Sequence, residues 1–308
     1  MNKPSLTIFA NFHINNAERL QRMKDSLDSF LKINPNQYVI NIRGKFKHKA
    51  GKFLQKRVSK KLEVSYFNNK RGWFYDSRYI SKKITSKYIF FWLEDHLLIS
   101  TPKIFKNCLM EMDKYKVDQL QYSLLHNQMR KTWAILPAYK VGKYLTIFNL
   151  NSDGCLKMKN KLKRDFYAIS CVQIFEKNFF LKVLFSKKPF LKRWPRHLPF
   201  DFEKKSADKI SSDIRFALPH NELFAAIDDD HANPGYSLIS RKKYPNRISR
   251  SDFKKLEFGT TKQSCILWNC NKFIHLLKNN RFLKNYINNT LYFIKRVFYT
   301  INLYGNKK

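Results

Sequence analysis

Apolar residues come in two spacings along residues 5–100, and the two alternate. SLTIFANFHI (5–14) is almost unbroken apolar chain, predicting a strand that runs out into the polar stretch His13–Asn16. In AERLQRMKDSLDSFLKI the apolar positions Leu20, Met23, Leu27, Phe30 and Leu31 recur at helical spacing, with Asn16 placed to cap the helix and Pro35 beyond its end. QYVINIRG (37–44) and LEVSYFNN (62–69) are further strands, joined by the basic crossover KFKHKAGKFLQKRVSKK, helical or irregular. RGWFYDSRYISKKI (71–84) is an amphipathic helix with Trp73, Tyr79, Ile80 and Ile84 available to one face. It leads into YIFFWLEDHLLIS (88–100), where Ile89 to Leu93 are all apolar, the pattern of a strand buried on both faces. The order β-α-β-α-β-α-β predicts an α/β fold on a mostly parallel central sheet with right-handed crossovers.

Beyond Ser100 the periods are less regular. TPKIFKNCLMEMDKYK (101–116) is a helix with Pro102 in its first turn, and VDQLQYSLLH (117–126) is a strand with alternating apolar residues. Residues 127–165 read as irregular, with Trp133, Pro137, the strand-like KYLTIFNL and then a turn at NSDG. AISCVQIFEKNFFLKVLF (168–185) is strand then helix. In the tail, Ile274, Leu277, Leu283, Ile287, Leu291, Ile294, Phe298 and Ile301 make an apolar stripe among Lys, Arg and Asn. That stripe fits either a C-terminal helical extension packed on the domain or a basic amphipathic helix lying on an anionic membrane.

The charge changes the picture less than its size promises. The chain of 308 residues carries 60 Lys and Arg against 23 Asp and Glu, a formal net charge of +37. Such a balance points to nucleic acid or an anionic membrane surface. The basic residues are mostly Lys, scattered, and accompanied by abundant Asn, Ile and Phe, which an AT-rich coding sequence also produces. The hydrophobic content of 44% argues against disorder. The five cysteines show no CxxC spacing, so a reducing, cytoplasmic setting is expected. The N-terminus lacks the apolar core and cleavage site of a signal peptide, and no apolar run is long enough to span a bilayer.

Candidate chemistry collects at two places. Glu94, Asp95 and His96 end the most apolar strand, where packing gives them no purpose, and the carboxyl ends of strands in open α/β sheets are where ligands bind. The plainer alternative has Glu94 capping a helix, with Asp95 and His96 in solvated loop. Further on, Asp228, Asp229, Asp230 and His231 form an acidic run in a basic chain, before the turn Asn-Pro-Gly. It is a solubilising loop or a loop over a site. No GxGxxG follows the first strand and no GxxxxGK[ST] occurs, so a glycine loop cradling phosphate is unsupported.

The span NNKRGWFYDSRYISKKITSKYIFFWLEDHLLIS is an asparagine-containing loop, a helix and an apolar strand ending in acidic residues. It resembles the nucleotide-binding half of GT-A fold, family 2-like glycosyltransferases, where such a strand ends in a DXD-type motif. The resemblance covers residues 1–100, thins over 165–245 and is absent from the tail. It implies a nucleotide-sugar donor, a glycan or lipid-linked acceptor, and a divalent metal, Mn²⁺ or Mg²⁺, held by Glu94, Asp95 and His96. His231 would complete the metal shell. The chain departs from the family pattern, with Glu94 at the first acidic position and His96 at the second. The resemblance further implies donor contacts from Phe12, Arg43, Asn68, Arg71, Arg78 and Arg241. It places a catalytic base at Asp201 or Glu203; Asp201 can equally cap a helix after Pro199, with Glu203 in its first turn.

These expectations divide the chain into a nucleotide-sugar-binding half (1–126), an acceptor-side half of the same domain (127–260) and a basic amphipathic helical tail (261–308). The implied activity is sugar transfer in surface polysaccharide biosynthesis, in the cytoplasm or peripherally on the inner face of the membrane. A nucleic-acid-binding protein is the alternative from charge and aromatic content, but no recognised binding motif supports it. A nucleotidyltransferase would carry a Gly- and Lys/Arg-rich loop after the first strand, which ANFHINN does not supply.

Overall fold

The computed structural model describes residues 4–68, 73–121, 136–162, 173–185, 213–228 and 237–244. The first half is the expected alternation: β1 (Leu6–His13), α1 (Ala17–Phe30), β2 (Gln37–Arg43), α2 (Lys47–Arg57), β3 (Lys61–Tyr66), α3 (Trp73–Ser81) and β4 (Tyr88–Trp92). There follow β5 (His96–Leu98), α4 (Pro102–Lys114), β6 (Gln119–Gln121), β7 (Lys140–Val141), β8 (Leu145–Asn151) and α5 (Ser152–Leu162). The last described elements are β9 (Gln173–Glu176), α6 (Lys177–Phe185), β10 (Asp213–Pro219) and β11 (Phe224–Ala226).

Nine strands form one sheet in the order β3-β2-β1-β4-β9-β6-β10-β8-β7, while β11 and β5 pair in a separate antiparallel ribbon. The parallel expectation holds across β3-β2-β1-β4. The second half is mixed: β9 lies antiparallel between β4 and β6, β10 is parallel to β6, and β8 and β7 add antiparallel strands. Antiparallel neighbours need no helical crossover between them.

Core packing follows from strand alternation. Ile8, Ala10, Phe12, Ile40, Phe90 and Trp92 face α1, α2 and α4 and meet Met23, Leu27, Phe30, Leu54 and Phe105. Phe9, Val39, Ile89, Phe91, Phe175 and Phe216 face the other way, onto Ile80 of α3 and Phe180 and Val183 of α6. Burying each large side chain contributes about 1.5–3 kcal/mol, so the run Ile89–Trp92 pins β4 between both layers.

Local signals behave as expected at two helix starts. Asn16 Oδ1 accepts from Arg19 N at 2.8 Å, and Thr101 Oγ1 accepts from Ile104 N at 3.2 Å with Pro102 following it. At NSDG the expected turn is instead a helix start, because Asn151 Oδ1 accepts from Gly154 N at 2.8 Å and caps α5. Among the described residues no helix is long and apolar enough to cross a membrane. The tail from 261 to 308 lies outside the described residues.

Candidate functional site

Because β1 to β4 run parallel, their carboxyl ends share one edge of the sheet. The chain leaves β4 at Leu93, turns through Glu94 and Asp95 with His96 N donating to Leu93 O at 3.3 Å, and departs as β5. The turn sends the three side chains to different neighbours. Glu94 is buried and accepts from Arg19 Nη1 at 2.5 Å; the same guanidinium reaches the His13 carbonyl at 3.4 Å. His96 is also buried, with Nδ1 2.7 Å from Asp95 Oδ1, and Asp95 itself keeps 45% of its side chain exposed.

Helix α1 supplies the rest through a polar stripe beside its apolar one. Glu18, Arg22, Ser26 and Ser29 follow each other at spacings of four, four and three, so they share one face. Arg22 donates to Glu18 Oε1 at 3.1 Å and also to Asp228. Ser26 Oγ donates to the His96 carbonyl and accepts from Trp92 Nε1 at 2.8 Å, and Ser29 Oγ accepts from Leu98 N at 2.9 Å. The other edge of β5 is taken by β11, in the register Ala226 to His96. One step on, Ile227 N donates to the Asp95 carbonyl at 2.8 Å. The strand-end acids and the first residue of the downstream acidic run are therefore parts of one cluster.

The electrostatics of the cluster are uneven. Burial raises the Glu94 carboxyl above its ordinary range, Arg19 only partly offsetting it and Asp95 adding to it. Burial acts in the same sense on Asp95 but is outweighed by His96, then Arg19 and Arg22, which hold that carboxyl well below the usual range. His13 is lowered to about 4, chiefly by burial and then by Arg19 and Arg43.

A divalent cation shared by Glu94, Asp95 and His96 does not fit this arrangement. Glu94 is engaged by Arg19, while His96 turns Nδ1 to Asp95 and buries Nε2 with no hydrogen-bond partner among the described residues. Among those residues no three His, Cys, Asp or Glu side chains converge as an ion requires. His231 lies outside the described residues, and so do Arg71, Asp201 and Glu203.

The remaining expected donor contacts sort by burial. Phe12 is fully buried, its ring edge-on to Trp92 at 4.5 Å, so it is core beneath the site and not a ligand contact. Arg43 is 1% exposed and paired with Asp76 of α3, so it too is structural. Arg78 Nε donates to the Leu184 carbonyl at 2.5 Å with its guanidinium over Tyr75 and Phe185, tying α3 to α6. Arg241 makes a two-pronged pair with Glu222 at 2.7 and 2.8 Å. Asn68 is exposed just beyond β3. Arg19 and Arg22 were not among the expected site residues: in the sequence Arg22 is one polar position on α1, and only its pairing in the fold with Asp228, from the downstream acidic run, brings it into the cluster.

No protein-family model matches the chain, and no curated protein matches it. Solved structures do. S. aureus TarS 1–349 in complex with UDP-GlcNAc aligns with a TM-score of 0.44 at 11% identity, over 82% of this chain and 64% of that one. S. aureus TarS aligns at 0.43 and 10%, over 72% of this chain and 36% of that one. The mannosyltransferase PcManGT from Pyrobaculum calidifontis, in complex with GDP-Man and Mn²⁺, aligns at 0.33 and 12%, over 40% of this chain and 36% of that one. The chain thus spans less than two thirds of each. The chain itself has an α/β fold on a mixed nine-stranded sheet; at TM-scores below 0.5 these alignments carry no argument about its family or activity.

Proposed function

We propose that the chain is a glycosyltransferase that moves a hexose from a nucleotide-sugar donor to a glycan or lipid-linked acceptor in surface polysaccharide biosynthesis. The observation that carries this reading is Asp95: a half-exposed, strongly anionic carboxylate at the carboxyl edge of four parallel strands, oriented by His96 and flanked by guanidinium groups. Breaking the sugar–phosphate bond places negative charge on a departing diphosphate, and preset cationic donors stabilise that charge as it forms. Arg19, at 14% exposure, is more open than Arg22 or Arg43 and fills this role, with Glu94 fixing its guanidinium. Asp95 accepts hydrogen bonds from donor hydroxyls. The acceptor hydroxyl needs a base, for which Asp201 or Glu203 stands as the proposal. The apolar and basic tail would lie on an anionic membrane and bring the site to lipid-linked acceptors.

The test is a thermal-shift panel of UDP-, GDP- and CMP-sugars, each with Mn²⁺, with Mg²⁺ and with chelator. One nucleotide-sugar class should raise the melting temperature of the wild type. Asp95→Asn should abolish that rise, measured against the variant's own unliganded melting temperature, which falls because the carboxylate held by His96, Arg19 and Arg22 is gone. A flat response across the panel would remove the reading. The chelator arm separates a donor that needs a cation from one met by arginine alone.

A further inference from the structure

Two glutamines sit where an apolar pair would be simpler. Gln173 opens β9 and Gln121 closes β6, and the two are direct cross-strand partners. Gln173 is also in register with Phe91, so both glutamines share the sheet face that carries Phe9 and Phe91. Gln173 is 0% exposed and Gln121 8%. Residues directly opposite on antiparallel strands hold their Cβ atoms about 4.5–5.5 Å apart, close enough for the two amides to bond each other. They do not: among the described residues, neither Oε1 nor Nε2 of Gln173 has a hydrogen-bond partner, and neither does Oε1 of Gln121.

Another glutamine at this depth is treated differently. Gln37, 1% exposed, accepts from Thr7, from Thr85 N and from Thr85 Oγ1, and donates to the Lys83 carbonyl at 2.8 Å. A buried amide without a partner is costly, and a facing pair of them on adjacent strands calls for a ligand, ion or water to complete it. The chemistry of the open groups says what that is. Each carboxamide offers two donors and an acceptor, which a phosphate cannot match because it only accepts; a hydroxyl, which does both, can.

We propose that Gln121 and Gln173 form a sugar-hydroxyl subsite at the ligand edge, one strand beyond β4 and on the side away from β1 and β2. This rests on the glycosyltransferase reading for its biological sense, and the hydroxyls belong either to the donor sugar or to an acceptor glycan. Gln173 lies level with Phe91, three positions before Glu94, so the subsite is at the same end of the sheet as the charged cluster but on the face away from α1, and shares none of its residues.

Gln173→Leu and Gln121→Leu, made singly, test it. Calorimetry would compare UDP-GlcNAc and GDP-mannose with free UDP and GDP, and saturation-transfer NMR would follow a panel of methyl glycosides. A donor origin predicts a loss of about tenfold or more in nucleotide-sugar affinity with free-nucleotide affinity unchanged. An acceptor origin predicts that the methyl-glycoside signals of the wild type disappear instead. In either case the melting temperature should hold or rise, since an unmatched polar group has been removed. Unchanged binding in both arms, or equal loss for sugar-bearing and free nucleotides, overturns the proposal. If Gln173→Leu fails to fold, the less buried Gln121→Leu decides alone. A wild type that binds methyl glycosides but no nucleotide sugar would retire the glycosyltransferase reading and leave the subsite standing.

Discussion

Arg43–Asp76 and Arg19–Glu94 are the same chemical pair at the same edge of the same sheet, one at the end of β2 and one at the end of β4. The first has side chains 1% and 4% exposed and joins α3 to the sheet. Around it the loops are closed: Ile14 N donates to Arg43 O and Phe46 N to Ile14 O, each at 2.8 Å. Gly44, at φ +96°, fits there because a Cβ would stand 2.5 Å from the Ile14 carbonyl oxygen. The second pair is 14% and 10% exposed and opens beside Asp95. One end of the edge is sealed and the other is left accessible. Arginine and carboxylate together therefore do not mark a site; the mark is a neighbour that still meets solvent.

The contrast can be broken by mutation. Asp76→Ala removes the carboxylate paired with a buried guanidinium and should cost about 3–5 kcal/mol in chemical denaturation. Glu94→Gln should stay within about 1 kcal/mol of wild type, because burial already disfavours its charge and the amide oxygen still accepts from Arg19. Equal losses would erase the distinction between the two ends.

His13 lies between the two arginines and gives the comparison a pH dependence. Its folded pKa of about 4 is below the unfolded value of 6.5, so in that window the unfolded chain binds a proton that the folded chain refuses. Stability from this group is full above the unfolded value and is lost as pH falls from there toward 4, by about 3 kcal/mol in total. Urea titrations of wild type and His13→Gln at stepped pH should show the slope in the first and a flatter profile in the second. The smallest effect is the outer limit of the series: Arg57→Ala, breaking a pair with Asp28 whose side chains are 53% and 46% exposed, should change stability by under about 1 kcal/mol.

The features legible in the chain alone are those that repeat. The spacing of Leu20, Met23, Leu27 and Phe30 is enough for α1, and the run Ile89–Leu93 is enough for β4 and for the importance of the acids at its end. Pairings between distant residues leave no such trace. Arg22 reads as a solvated position on an amphipathic helix until Asp228, 206 residues on, is placed against it. Phe12 and Arg43 look like edge residues in the sequence because a strand pattern does not say where the sheet stops being covered. β10 escapes the sequence reading although it borders both β6 and β8, and β11 is too short to show a period. Gln121 and Gln173 are polar letters in strand segments, and only the register puts them side by side.

The ribbon of β5 and β11 also sets an order of events. Strands β1 to β4 can pair as soon as the residues up to 92 are available, but β5 has to wait for a partner about a hundred and thirty residues later in synthesis. During translation the carboxylates of the turn are thus made early and enclosed late. A nascent chain halted before residue 224 would hold all nine strands of the main sheet while the turn at Glu94 and Asp95 still lacked the strand that closes over it.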